Sequence, residues 1–241
     1  TSREILNTPF ALPTKLHFDN YTRAWDAAEF GTSMFNTVLI VVTATLGVVA
    51  MSAPASYALA KLKPRLSAKL TAAFAVGIGI PLQATFIPLF VAMSRVGLTD
   101  SLCGLWLLYV ATSLPFTVFL MTGFFRTLPQ DTEEAAAIDG ASPARTFFTI
   151  VMPMARPGLV TAFLLNLVTL WSETLLALVF LSSTNKFTLA RSLWDFYGTM
   201  TYTGDWSALL AGVCIVLLPI LALYAWLGTR MIEGLTLGMG K

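Results

Sequence analysis

Residues 129–153 read PQDTEEAAAIDGASPARTFFTIVMP. They form a polar, punctuated island between two long apolar segments. Asp131 and Glu134 have the spacing of a capping box at a helix start, and Glu133 and Glu134 suit the positive end of a helix dipole. That helix runs through Ala135, Ala136, Ala137 and Ile138, with Gly140 placed as its C′ residue. Ser142-Pro143 then supplies an N-cap followed by proline at the first helical position. A second helix, Pro143 to Val151, ends near Pro153. Isolated helices of this length are marginal in water, so both must pack on something. Ala135, Ala136 and Ile138 offer a small, smooth surface. From the residues alone, that surface either lies against the chain's own helices or enters a groove on another protein.

Outward from this island the chain is apolar. It is 56% hydrophobic and 12% charged over 241 residues, whereas about a quarter of residues are charged in a soluble domain. Five segments are long enough to cross a bilayer, which takes about 20 residues. They are 31–60, 70–94, 101–125, 157–185 and 206–229, and none shows the period-2 alternation of barrel strands. The predicted fold class is an all-α polytopic membrane protein, one transmembrane domain over 1–241, with an outer loop at 1–30 and an inner loop at 126–156. Small residues in the first segment (Gly47, Ser52, Ser56) suit close helix packing. Gly77, Gly79, Pro81 and Pro88 predict a broken or kinked second helix, and Pro115 and Pro219 predict kinks in the third and fifth.

Basic residues orient the chain. Lys61, Lys63, Arg65 and Lys69 crowd one short loop, and Arg126, Arg145, Arg156, Arg230 and Lys241 lie on the same side. Under the positive-inside rule this side, including the C-terminus, is cytoplasmic. Five helices with an outer start at Thr1 imply a sixth helix upstream of this sequence. Cys103 and Cys214 sit in apolar segments without metal-ligand spacing and read as buried structural cysteines. The single histidine, His17, lies in the outer tail. No metal site and no catalytic constellation is expected.

Glu173 is the ionisable residue placed well inside an apolar segment. An acid at a helix centre costs about 2.5–3.5 kcal/mol on the insertion scale. Fourteen Leu, Val and Phe residues in 157–185 return roughly 0.3–0.6 kcal/mol each, so the helix still inserts. Glu173 with Trp171 and Asn166, and more weakly Gln83, either lines a translocation path or fixes helix packing. Between the fourth and fifth segments lies an aromatic outer loop with Phe187, Trp194, Tyr197 and Tyr202, a candidate contact for an external partner.

The spacing Glu134-Ala135-Ala136, Gly140, Ile150 and Pro153 resembles the cytoplasmic loop of binding-protein-dependent ABC importer permeases, with Met152 where that family commonly has Leu. Gly234-Leu235-Thr236-x-Gly238 is similar to the tail of the maltose-type, sugar-importing branch. Asn20-Tyr21, Asn36-Thr37 and Trp171-Ser172-Glu173 add weaker matches along the chain. The resemblance implies a type I ABC importer transmembrane subunit in the inner membrane. Its implied partners are a second homologous permease, two ATP-binding subunits and an extracytoplasmic sugar-binding protein. ATP and Mg would lie on the partner ATPases, which Glu134, Ala135, Ala136, Ile138, Gly140, Ile150 and Pro153 would engage together with the 234–236 tail. No G-x-x-x-x-G-K-[ST] phosphate loop occurs in the chain, which fits that division of labour. The readings this competes with are an ABC permease for a non-sugar solute, an ion-coupled secondary carrier and an integral membrane enzyme. The last two are poorly served by one intramembrane acid and one histidine. No nucleic-acid role is expected.

Overall fold

A computed structural model describes residues 1–8, 10–11 and 15–225, and carries the helical backbone of the last element to Met239. The elements are α1 (Ser2–Asn7), α2 (Asp19–Ala27), α3 (Phe30–Lys61), α4 (Pro64–Gly79), α5 (Leu82–Arg95) and α6 (Leu102–Thr127). They continue as α7 (Asp131–Ile138), α8 (Pro143–Met154), α9 (Arg156–Trp171), α10 (Leu175–Phe180), α11 (Leu189–Thr203) and α12 (Trp206–Met239). Among the described residues there is no strand. Three helices, α3, α6 and α12, are each long and apolar enough to span a membrane. Counting the α4–α5 and α8–α9 pairs as broken spans brings the total to five.

The prolines do not act alike. α3, α5, α6 and α12 run through Pro54, Pro88, Pro115 and Pro219 without leaving the helix. The chain breaks between α4 and α5, where Ile80 is extended (φ −75°, ψ 118°) ahead of Pro81. Proline disfavours the helical region for the residue before it, and two glycines upstream weaken the last turn.

The fourth apolar segment is not one helix to residue 185 as expected. α9 ends at Trp171, Ser172–Thr174 interrupt it, and α10 ends at Phe180. The aromatic segment after it is a helix rather than a loop. Thr188 caps α11 by accepting from the Arg191 N–H, and Gly204 closes it at φ +73°. Thr188 and Gly204 are the usual start and stop chemistry, and both signals are present in the sequence. The tail at 1–30 likewise holds α1 and α2.

The helices pack as two compact units. One comprises Thr1–Thr43, Thr85–Leu108 and Thr169–Ala225, and the described part of the other comprises Ala44–Ala84 and Tyr109–Val168. No linker marks this division, because α3 itself passes from one unit to the other. The first unit is built around Phe30, Leu189, Phe196, Ala208 and Leu209, with Phe30 and Phe196 edge to face at 6.0 Å. Backbone groups between α10 and α11 are satisfied by α3. The Asn36 side-chain amide donates to the carbonyls of Asn185 and Phe187 at 3.0 and 3.1 Å. Thr37 Oγ1 accepts from the Leu189 N–H at 2.7 Å.

The second unit is built around Ala53, Met121, Phe124, Phe125, Phe147, Val151, Ala155 and Ala162. Small residues allow the helices to close on one another, as the sequence predicted for α3. Ser56 donates to the Val118 carbonyl at 3.1 Å, and a Cβ on Gly77 would stand 3.4 Å from the Pro115 ring. Cys103 and Cys214 are exposed on their helices, not buried. In an apolar membrane helix the outward face is as hydrophobic as the inward one, so composition does not tell them apart.

Candidate functional site

The polar island forms two helices joined by a sharp turn. α7 ends in a Schellman motif: the Gly140 N–H donates to the Ala137 carbonyl at 3.1 Å and the Ala141 N–H to Ala136 at 2.9 Å. Gly140 has φ +78°, a conformation that glycine adopts without the cost of a Cβ. Ser142 then caps α8, accepting from the Arg145 N–H at 3.3 Å, with Pro143 at the first position. The start of α7 differs from expectation. Gln130 is the N-cap and is itself helical, so Asp131 lies inside the helix and no side chain caps it. The capping box is absent, and the acids of the first turn act on the exposed N–H groups through the dipole alone.

α8 contains a widened turn over Phe147–Val151, with the Met152 N–H donating to the Phe147 carbonyl five residues back. Pro153 lacks an N–H and crowds the carbonyl four residues before it, and a π turn relieves both. The helix therefore reaches Met154, past the expected end at Val151. α8 and α9 meet at 72°.

This hairpin presents two faces. Ala136 is buried, while Glu134, Ala135 and Pro153 are exposed and Ile150 is half-buried. Ile138 is 87% exposed and Phe148 is 67% exposed. Inward, Phe147, Val151 and Ala155 enter the unit's core. Phe148 was not singled out from the sequence. Its neighbour Phe147 carries the same residue type to the opposite face, and only the helix register separates them.

One contact had no local signal at all. Glu133 Oε1 lies 2.7 Å from Lys61 Nζ at the last residue of α3, and Tyr57 Oη donates to Glu133 Oε2 at 2.8 Å. The Tyr57 ring is held between Phe125 (5.8 Å) and Phe147 (5.0 Å).

The remaining candidates disperse. Glu173 stands in the break between α9 and α10, where Oε1 accepts from the Leu176 N–H at 2.7 Å and Oε2 from Ala177 at 3.3 Å. Its carboxylate serves the free N–H groups of the next helix. Trp171 Nε1 donates to the Val216 carbonyl at 3.4 Å. Asn166 belongs to the other unit, buried and donating to Thr117 Oγ1 (2.9 Å) and the Ala162 carbonyl (2.8 Å). Gln83 is exposed just after the α4–α5 break. Glu173 and Trp171 fall in the first unit, Asn166 and Gln83 in the second. On the aromatic segment, Tyr202 is 94% exposed and Trp194 and Tyr197 are each about half exposed, but Phe187 is buried. Phe187 packs under the Arg191 guanidinium at 4.1 Å. Gly234, Leu235 and Thr236 lie outside the described residues.

Comparison with known proteins fixes the class. The family described as "Binding-protein-dependent transport system inner membrane component" matches residues 47–232, well over half the chain. The diacetylchitobiose uptake system permease protein NgcG of Streptomyces coelicolor is 34% identical over 98% of this chain and 78% of its own length. The trehalose transport system permease protein SugB of Mycobacterium tuberculosis is 31% identical over 95% of this chain and 84% of its own. Among solved structures, a bacterial ABC transporter involved in the import of the acidic polysaccharide alginate superposes with a TM-score of 0.75 at 26% identity. That match covers 91% of this chain and 81% of the other. With apolar helices of spanning length and a sequence match running through both packing units, the chain belongs to the family of inner membrane components of binding-protein-dependent transport systems.

Proposed function

We propose that this chain is the non-catalytic permease subunit of an ATP-driven sugar or oligosaccharide importer, and that the α7–α8 hairpin is where it engages a separate ATPase. One observation carries the reading. An acidic, two-helix loop that its composition would place in water keeps Ile138 almost fully exposed, beside exposed Ala135 and Glu134. A large apolar side chain presented by a short helix that is closed at its C-terminal end fits insertion into a partner's groove. ATP and Mg belong to two such ATPase subunits. A second, homologous permease completes the membrane portion, and a binding protein delivers solute from outside. The density of Lys and Arg at 61–69 supports a cytoplasmic hairpin and C-terminus under the positive-inside rule.

The solute class rests on the relatives. Among them are permeases named for diacetylchitobiose, trehalose and sulfoquinovosyl glycerol, and the alginate importer matches in fold. The exposed Trp194, Tyr197 and Tyr202 of α11 supply the aromatic surface such a route favours at the binding-protein side.

The test is affinity purification of the tagged chain from its native membrane, paired with uptake of labelled oligosaccharide in cells. An ATPase and a second permease recovered with the chain, and lost with Ile138→Asp while the chain still accumulates, support the reading. A chain that purifies alone and transports without ATP overturns it in favour of an ion-coupled carrier. Uptake that responds only to a non-sugar solute corrects the substrate class.

A further inference from the structure

α7 has two working faces one turn apart. Glu134, Ala135 and Ile138 face solvent, while Glu133 and Ala136 face the packing unit. Ala136 contributes only a methyl group. The directional attachment on the inward face is Glu133, whose side chain is 16% exposed. It holds the ammonium of Lys61 at 2.7 Å and the hydroxyl of Tyr57 at 2.8 Å, both on the last turn and a half of α3. Tyr57 is itself fixed by Phe125 and Phe147, and the Lys61 ammonium lies 5.8 Å from the Tyr57 ring. A carboxylate that accepts from two donors on one rigid helix resists movement in two directions. A hydrophobic contact alone slides.

We infer that Glu133 is a positioning residue that fastens the hairpin to the C-terminal end of α3 through Lys61 and Tyr57, so that displacement of the exposed face of α7 is delivered to a membrane helix. The inference rests on the proposed ATPase role of the hairpin and adds the internal link which that role requires. Glu133 is assigned no contact with nucleotide or solute. It acts by holding the loop in register with a 32-residue continuous helix. Losing the link leaves the exposed docking face chemically intact but lets it move without α3 following.

The experiment uses the whole complex, purified with its native partners and reconstituted in liposomes. Three quantities are read for each variant: ATPase recovered per permease, ATP hydrolysed, and solute imported per ATP. Glu133→Ala is expected to keep the ATPase and its hydrolysis while solute per ATP falls about tenfold or more. The exchange of charges, Glu133→Lys with Lys61→Glu, is expected to recover at least half of the wild-type ratio when each single substitution does not. A merely structural role would lower recovery or hydrolysis together with transport.

Solute per ATP within twofold of wild type in Glu133→Ala, with the ATPase still bound, overturns the link and leaves the docking reading standing. An exchange no better than the single variants also overturns it. If the wild-type chain recovers no ATPase, the docking reading fails and the inference with it. Should Glu133→Ala not accumulate, Tyr57→Phe removes a single hydroxyl donor and is read the same way. A several-fold fall in the ratio supports the link and an unchanged ratio overturns it.

Discussion

The Glu173 carboxylate accepts a 2.7 Å hydrogen bond from the Leu176 N–H, three residues on. The acid that stood out in the sequence as a charge inside an apolar segment is thus the polar terminus of a helix. The chain breaks at Ser172–Thr174, and the first N–H groups of α10 need an acceptor that hydrocarbon cannot provide. Glu173→Ala is therefore expected to lower stability by about 1 kcal/mol, the usual range for a lost cap. Glu173→Gln keeps one acceptor oxygen and should lose less than half of that. Uptake in Glu173→Gln should stay near wild type. Thermal unfolding in detergent beside uptake in cells checks this. Lost uptake with unchanged melting would return Glu173 to the solute path.

How legible this was in the sequence varied by the range of the interaction. The hairpin at 131–154 was readable because its determinants are local. Gly140 supplies a positive φ, Ser142 an acceptor and Pro143 a fixed φ, each acting within three residues. The membrane class was readable because hydropathy is a sum over some twenty neighbours. The Glu133–Lys61 pair joins residues far apart in sequence, and neither has an oppositely charged residue three or four positions away to betray it. The interruption of the fourth segment at Ser172–Thr174 was hidden by its own solution: Glu173 satisfies the break and at the same time looks like an anomaly within an unbroken helix.

Gly140 separates the hairpin's local geometry from its packing. At φ +78° an L-residue pays about 1–2 kcal/mol. Gly140→Ala should therefore loosen the turn without unfolding the chain. Gly140→Pro is expected to be worse, since its φ is fixed near −65° and the N–H that bonds Ala137 is gone. Hydrogen exchange across residues 131–146 should rise in both, more in the proline variant, and transport should fall in the same order while membrane insertion is retained. Unchanged uptake in Gly140→Pro would remove the hairpin from the coupling path.

Asp100, in the first unit, gives the chain a pH dependence of its own. It joins the α5–α6 turn to the segment after α10. Ser183 donates through Oγ and N–H, Lys186 through Nζ at 2.9 Å, and Ser182 through N–H. These hydrogen bonds, led by the Ser183 hydroxyl, hold its carboxyl well below the usual carboxylate range. A carboxyl with a depressed folded pKa adds stability that is fully present above its unfolded value, about 3.9, and is lost as pH falls through the lower folded value. Asp100→Asn keeps a residue tolerant of positive φ, here +48°, and removes the charge. Its melting temperature should sit below wild type by a constant margin from pH 5 to 8, and the two curves should converge only in stronger acid. A gap that varies across neutral pH would assign the effect to another group.

Gly158 tests the packing of α9 on α6. A Cβ built there would meet the Phe124 ring at 2.7 Å, and the atoms it meets include Cγ, the ring carbon nearest the backbone. Phe124 is buried among Met121, Phe125 and Val151, so the ring cannot swing away without displacing the core. Overpacking of this kind costs typically about 1–3 kcal/mol, and Gly158→Ala should show it as a lower melting temperature. Because the clash is pairwise, shortening the partner should relieve it. Phe124→Leu alone opens a cavity and destabilises. The double variant is expected to be more stable than the sum of the two single losses predicts, a coupling of about 0.5–3 kcal/mol for residues in contact. Strict additivity would mean that α9 moves as a body to admit the methyl group, and that the α6–α9 contact is softer than its geometry indicates.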